Sequence, residues 1–248
     1  VAERDRPGRV EGLDDRLFVD LQRALGIEFA VGSAIVAHGR VGMAIALMQA
    51  RSLIHERKLR HVLVAATDSL LSWPTLSHYE RNDRLLTARN SDGFMPGEGA
   101  GALLLAPPGG QPELLCTGIG FGVETAPIGS EEPLRADGLA MAIRFATDEA
   151  SCQVHDLDFR IADVSGEQYY FKEAALALSR TLRQRKEAFD IWHPAECTGG
   201  AGALSGASQI ALADAACRKA YAPGVNILPH MAGDAGQRAA AVLRFGVA

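Results

Sequence analysis

The 248-residue chain is 48% hydrophobic and 6% aromatic, with a net charge of −5. That composition can build a sizeable core and provides no basic block or stripe of the kind that binds nucleic acid. No apolar run approaches the roughly 18 residues of a membrane span, and no signal-peptide pattern is present, so a soluble, cytoplasmic protein without a membrane partner is expected. The four cysteines, Cys116, Cys152, Cys197 and Cys217, form no C-x-x-C pair. That spacing argues against a zinc site or a disulfide framework and for reduced, mostly buried thiols.

Residues 5–12 are polar, with Pro7, Gly8 and Gly12, and read as a loop. Leu13 to Leu25 carries a helical apolar period stopped by Gly26. Ile27 to Ala37 reads as a strand ending at a turn, His38-Gly39-Arg40, and Val41 to Leu59 as a largely buried helix. His61 to Ala66 is a continuous apolar run, the pattern of a strand covered on both faces. A helix follows over Leu76 to Arg84, then a strand over Ala100 to Leu105. The strand Leu114 to Val123 has Gly118, Gly120 and Gly122 at every second place, leaving one face bare for close approach of another backbone. Helices are expected over Pro133 to Glu149, Gln168 to Arg185 and Gly206 to Lys219. Strands are expected over Phe159 to Val164, Phe189 to Trp192, Val225 to Pro229 and Ala239 to Phe245. Alternation of strands and helices marks an α/β protein with a parallel or mixed sheet.

The most specific stretch runs from Asp92 to Leu105, DGFMPGEGAGALLL. It resembles the DGF-x-x-GEGAG segment of the β-ketoacyl synthases (3-oxoacyl-acyl-carrier-protein synthases) of the thiolase-like superfamily. Ala66-Thr67-Asp68-Ser69, Arg84-Leu85-Leu86-Thr87 and the GGAGALSG turn at residues 199–206 stand in the order of that family's landmarks. The resemblance implies the layered αβαβα thiolase-like fold with mixed sheets, one half over residues 1–110 and the other over 111–248. Val1-Ala2-Glu3-Arg4 looks like the end of a strand cut short, so the N-terminal part of the first half is expected to be missing. It also implies kinship with acyltransferases of fatty-acid or polyketide synthesis, no metal or organic cofactor, and an acyl carrier protein as possible partner. Dimerisation with itself or with a homologous synthase is expected through the strand Ile27 to Ala37.

Family chemistry uses a cysteine thioester at a strand-to-helix turn, where a helix N-terminus lowers the thiol pKa, and two histidines that stabilise an oxyanion. The corresponding turn here holds His38 or Arg40, depending on the direction of counting, and no cysteine is near it. Ser165 stands for the first histidine, Gly200 for the second and Ala195 for the supporting lysine. Neither imidazole nor guanidinium provides the required stable thioester. The resemblance is therefore to a degenerate member that has lost condensing activity and acts as a binding or scaffold partner. The alternative is an acyltransferase or hydrolase acting on acyl thioesters through His38, Cys197 or Ser165. Cys197, expected to face the old pocket, and Phe94 are candidate substrate contacts. His193 is a further candidate with a weaker claim. Asp92, Gly97, Glu98, Gly99 and Gly101 are expected to serve the turn structurally, the two acids by capping backbone amides.

Overall fold

The computed structural model describes residues 1–248. In chain order the elements are α1 (Leu17–Leu25), α2 (Gly42–His55), β1 (Val62–Ser69), α3 (Trp73–Arg81), β2 (Glu98–Leu105), β3 (Glu113–Val123) and α4 (Asp137–Glu149). They continue with β4 (Phe159–Ala162), α5 (Gln168–Thr181), β5 (Ile191–Trp192), α6 (Ala195–Thr198), α7 (Leu204–Arg218), β6 (Asn226–Ala232) and β7 (Gln237–Gly246). β1 and β2 form an antiparallel pair. The second sheet has the order β3-β7-β6-β4-β5, antiparallel across β3, β7 and β6 and parallel across β6, β4 and β5. It is a mixed sheet, as the alternating pattern implied.

Helices α2 and α7 lie between the two sheets. Met43, Ala44 and Leu47 of α2 share one core with Ala66 of β1, Ala207, Ile210 and Ala213 of α7, and Ile227, Met231, Ala239 and Leu243 of β6 and β7. On the far face of the larger sheet, α4 and α5 bury Leu139, Ala142, Ile143 and Ala177 against Leu228, Ala240 and Val242. The resulting sheet–helix–sheet–helix order supplies four of the five layers of the expected αβαβα arrangement, the outer helices on the β1–β2 face being absent from this chain. Small residues dominate both seams, so helices and strands approach closely. Gly118, Gly120 and Gly122 are the extreme case: a Cβ on each would run into the main-chain carbonyl of Ala146, Ala142 and Gly138 of α4.

Several expectations need correction. Ile27 to Ala37 is not a strand. Its one long-range backbone contact is with the first residue, from the Val1 amine to the Val36 carbonyl (2.9 Å), and one such contact cannot propagate a ladder. Phe29 folds back on Phe18 of α1 instead, ring centroids 5.0 Å apart, and Val31 is 94% exposed. Likewise β1 is not covered on both sides. Its residues alternate in burial, and Leu63 and its cross-strand partner Leu104 are each 67% exposed, because nothing packs on the outer face of the β1–β2 pair.

Helix limits shift for local reasons. α3 begins three residues early because Ser72 caps it, accepting from Thr75 N–H, with Pro74 in the first turn. It stops at Arg81, which frees Arg84 to turn inward. α4 starts only at Asp137, after Ala136 in a left-handed conformation (φ 58°). None of the four cysteines is fully buried, against expectation; Cys116 and Cys197 are exposed.

His230 on β6 is buried, and that burial, aided by Arg160, lowers its imidazole to about 3. Unfolded histidine titrates near ~6.5, so the stability tied to neutral His230 is complete above that pH and drains as pH falls towards the folded value. Urea unfolding at two pH values should reveal it: wild type loses about 2 kcal/mol from this group between roughly pH 7.5 and 5, and His230→Gln loses clearly less. Equal losses would refute this role.

Candidate functional site

A cavity of about 450 Å³ opens between the N-terminal segment at residues 3–7, the turn before α2, the stretch from Leu70 to Phe94, the turn after β4, the glycine turn at residues 200–205 and the β6–β7 hairpin. Two glycine-rich segments frame it with main chain. Gly97 N–H donates to the Gly200 carbonyl (2.9 Å) and Gly200 N–H to the Met95 carbonyl (2.7 Å), so the GEGAG stretch and the GGAG turn run backbone against backbone. A Cβ on Gly97 would meet the Thr198 carbonyl, and Cβ atoms on Gly99 and Gly101 would press on Leu204. Asp68, at the end of β1, accepts from Ala203 N–H at the start of α7 (2.7 Å) and from Arg6 (2.7 Å), tying the N-terminal segment to the frame.

His38, Arg40, Ser165, Gly200 and Phe94 all line this cavity. Arg40 rises from a single helical turn at residues 39–41, entered through Gly39 at φ 50°. His38 is exposed at the rim. Ser165 follows β4, and a Cβ on Gly200 would lie 3.0 Å from the Phe94 ring and 3.5 Å from Ser165 Oγ. Phe94 is buried edge-on against Tyr79, 5.0 Å between centroids. Cys197 does not face the cavity. It sits on the exposed surface of the short helix α6, which the sequence did not announce, and no cysteine is among the lining residues. His193 is half-buried outside the cavity, edge-on against Phe171, and pairs with Glu196 (2.8 Å). Asp92 caps α5 rather than its own turn, accepting from Gln168 N–H (2.7 Å). Glu98 caps no amide and instead accepts from Ser69 Oγ across the β1–β2 pair (2.8 Å).

The inner wall is charged, with only seven hydrophobic residues among the 25 that line the cavity. Arg40 Nη2 contacts both Tyr170 Oη (2.6 Å) and the Asp234 carboxylate, and its Nε lies 3.8 Å from Asp163. Arg84 clamps Glu167 with two bonds (2.6 and 2.9 Å) and reaches Asp234 Oδ2 with Nη1 (2.6 Å). Burial works against charge on both arginines, yet the surrounding acids and tyrosines outweigh it and hold each guanidinium firmly protonated. At Asp234 burial pushes the carboxyl up, but Arg40 and Arg84 win and keep it well below the usual carboxylate range. Asp163, more deeply buried, goes the other way: desolvation exceeds the pull of Arg40, and its Oδ1 has no hydrogen-bond partner.

Sequence reading singled out Arg40 as a degenerate nucleophile position and Arg84 as part of a family landmark, and passed over Asp234, Asp163, Tyr79 and Tyr170. The accessible clue was Gly233-Asp234-Ala235-Gly236, a lone acid at a glycine-flanked tip between two apolar strands.

The layers, the strand order and this glycine-framed cavity at the head of a buried helix define a β-ketoacyl synthase-type, thiolase-like fold. Comparison with solved structures gives the same fold. The chain is similar to the ketosynthase ApeO, solved with its chain length factor ApeC from Xenorhabdus doucetiae (TM-score 0.74, 15% identity, 93% of this chain and 63% of that one). It is similar too to a structure of AntDE:AntF, described as a type II polyketide synthase acyl-carrier protein in complex with its ketosynthase bound to the hexaketide (TM-score 0.74, 17% identity, 92% and 66%). A β-ketoacyl synthase from Burkholderia phymatum gives a TM-score of 0.69 at 15% identity, over 92% and 64%. The chain thus spans a little under two thirds of each of these three. No protein-family model matches the sequence, and no curated protein matches it.

Proposed function

We propose that the chain is a ketosynthase-like protein without condensing activity, serving as a binding or scaffold partner in fatty-acid or polyketide assembly. One observation carries this reading: at the head of α2 the side chain facing the cavity is Arg40, committed to Asp234 and Tyr170, and no thiol lines the cavity. A guanidinium so paired is no nucleophile near neutral pH. With Ser165 and Gly200 opposite, neither position expected to hold a family histidine carries an imidazole, and the two histidines that do line the cavity, His38 and His78, come from other segments. The partner is a homologous synthase or a second copy of the chain, with an acyl carrier protein as a further partner, in the cytoplasm, and the two halves of the fold are residues 1–110 and 111–248. The exposed apolar side chains Val19, Leu25 and Val31, on α1 and the irregular segment after it, support a surface made for a partner.

The deciding experiment supplies the chain with acyl- and malonyl-loaded carrier protein and follows carbon–carbon bond formation, with light scattering alongside. No condensation and a mass above one chain, alone or with a ketosynthase, are expected. Sustained condensation sinks the proposal, and so does a strict monomer that binds neither synthase nor carrier protein. An acyl-thioester hydrolase is the second reading, because His38 and Ser165 open on the same cavity. The two side chains are not hydrogen-bonded to each other, as a nucleophile and its base would be.

A further inference from the structure

The carboxylate of Asp234 is fully coordinated by groups from elsewhere in the chain. Its Oδ1 accepts from Arg40 Nη2 and from Tyr170 Oη (2.5 Å), and its Oδ2 from Arg84 Nη1 (2.6 Å) and Tyr79 Oη (3.4 Å). An ionised carboxylate has about four lone-pair sites, and four side chains from three segments fill them.

The donors are held in place without Asp234. The Arg40 guanidinium lies 4.5 Å from the centre of the Tyr170 ring, and that of Arg84 lies 5.0 Å from the Tyr79 ring while Glu167 grips it with two bonds. Asp234 itself comes from a short connection. It sits at the tip of the β6–β7 hairpin between Gly233 and Gly236, lines the cavity, and keeps 29% of its side chain exposed. A structural ion pair usually fixes both partners. Here the donors keep contacts of their own, and their occupant is a short, partly exposed side chain at a glycine-flanked tip.

We propose that Arg40, Arg84, Tyr79 and Tyr170 form a receptor for a carboxylate, that Asp234 is an internal stand-in for it, and that a small-molecule carboxylate entering the cavity displaces the Asp234 side chain. Two guanidiniums with two phenols select a planar, singly charged, two-oxygen group. Displacement must overcome an intramolecular competitor, so a simple monocarboxylate binds the wild type weakly. A natural ligand adds contacts to the free polar groups of the wall, Ser165, His38 and Gln237. This site stands whether or not the chain condenses acyl groups or pairs with a synthase.

The test uses acetate and malonate as probes at constant ionic strength set with chloride, read by NMR line broadening of the labelled anion and by Tm. Asp234→Ala should bind acetate saturably and at least tenfold more tightly than wild type. Adding Arg84→Gln should abolish the gain, and wild type should show saturable malonate binding. If Asp234→Ala does not fold in chloride, refolding in acetate but not in chloride supports the receptor equally well. Acetate binding no tighter in Asp234→Ala than in wild type overturns the proposal. So does an absence of malonate binding to wild type, or refolding that is indifferent to the anion.

Discussion

Gly120→Ala should be among the most damaging single substitutions in this chain. The new Cβ would collide with the Ala142 carbonyl and crowd the Ala146 amide, both main chain of α4. Neither can yield without moving a helix whose Leu139, Ala142 and Ile143 are buried in the core. Overpacking of this kind costs on the order of 3 kcal/mol, which in a domain of this size lowers Tm by roughly 6–12 °C. Gly246→Ala is the control, since a Cβ there meets nothing within 4 Å. Differential scanning calorimetry of the two variants separates a true close approach from a general loss of glycine; a Gly120→Ala protein as stable as wild type would mean that β3 and α4 do not touch.

Glu173→Ala should be comparably severe. Its carboxylate accepts from Arg238 Nε (2.7 Å), and both side chains are essentially excluded from solvent. Burial outweighs Arg238 and pushes the Glu173 carboxyl up, so the pair itself adds little net stability. Breaking it is another matter. Arg238 would keep the Gly233 and Gln237 carbonyls and Tyr169 Oη but lose its counter-charge inside the protein. Stranding a buried charge costs about 3–5 kcal/mol. Replacing both members, Glu173→Leu with Arg238→Met, should recover most of that loss in urea unfolding. A double variant no better than the single one would place the effect in packing rather than charge.

Much of this architecture was legible in the chain itself. The alternate glycines of β3 announced a bare strand face, and α4 lies against it. The DGFMPGEGAG stretch and the GGAG turn pointed to a ketosynthase-type fold, and they meet backbone to backbone. What failed was whatever depends on neighbours distant in sequence. Ile27 to Ala37 has strand-forming residues but no neighbouring strand to pair with. The run His61 to Ala66 looks doubly buried, yet whether a second face is covered depends on another layer of the molecule. The wall of the cavity was least legible. Arg40, Arg84, Tyr170 and Asp234 are up to 194 positions apart, and no local pattern links a lone hairpin acid to two arginines. Cys197 misled for the opposite reason: its nearness to the glycine turn in sequence did not survive the short helix α6, which turns it outward.

The backbone-to-backbone meeting of residues 93–101 with residues 198–204 has one more consequence. That contact depends on its glycines, since a Cβ on Gly97 would run into the Thr198 carbonyl. His38, Arg40 and Ser165 stand on other segments, so the chemistry of the wall can change there without disturbing that contact. Such a scaffold can exchange one chemistry for another a few substitutions at a time, without passing through an unfolded ancestor.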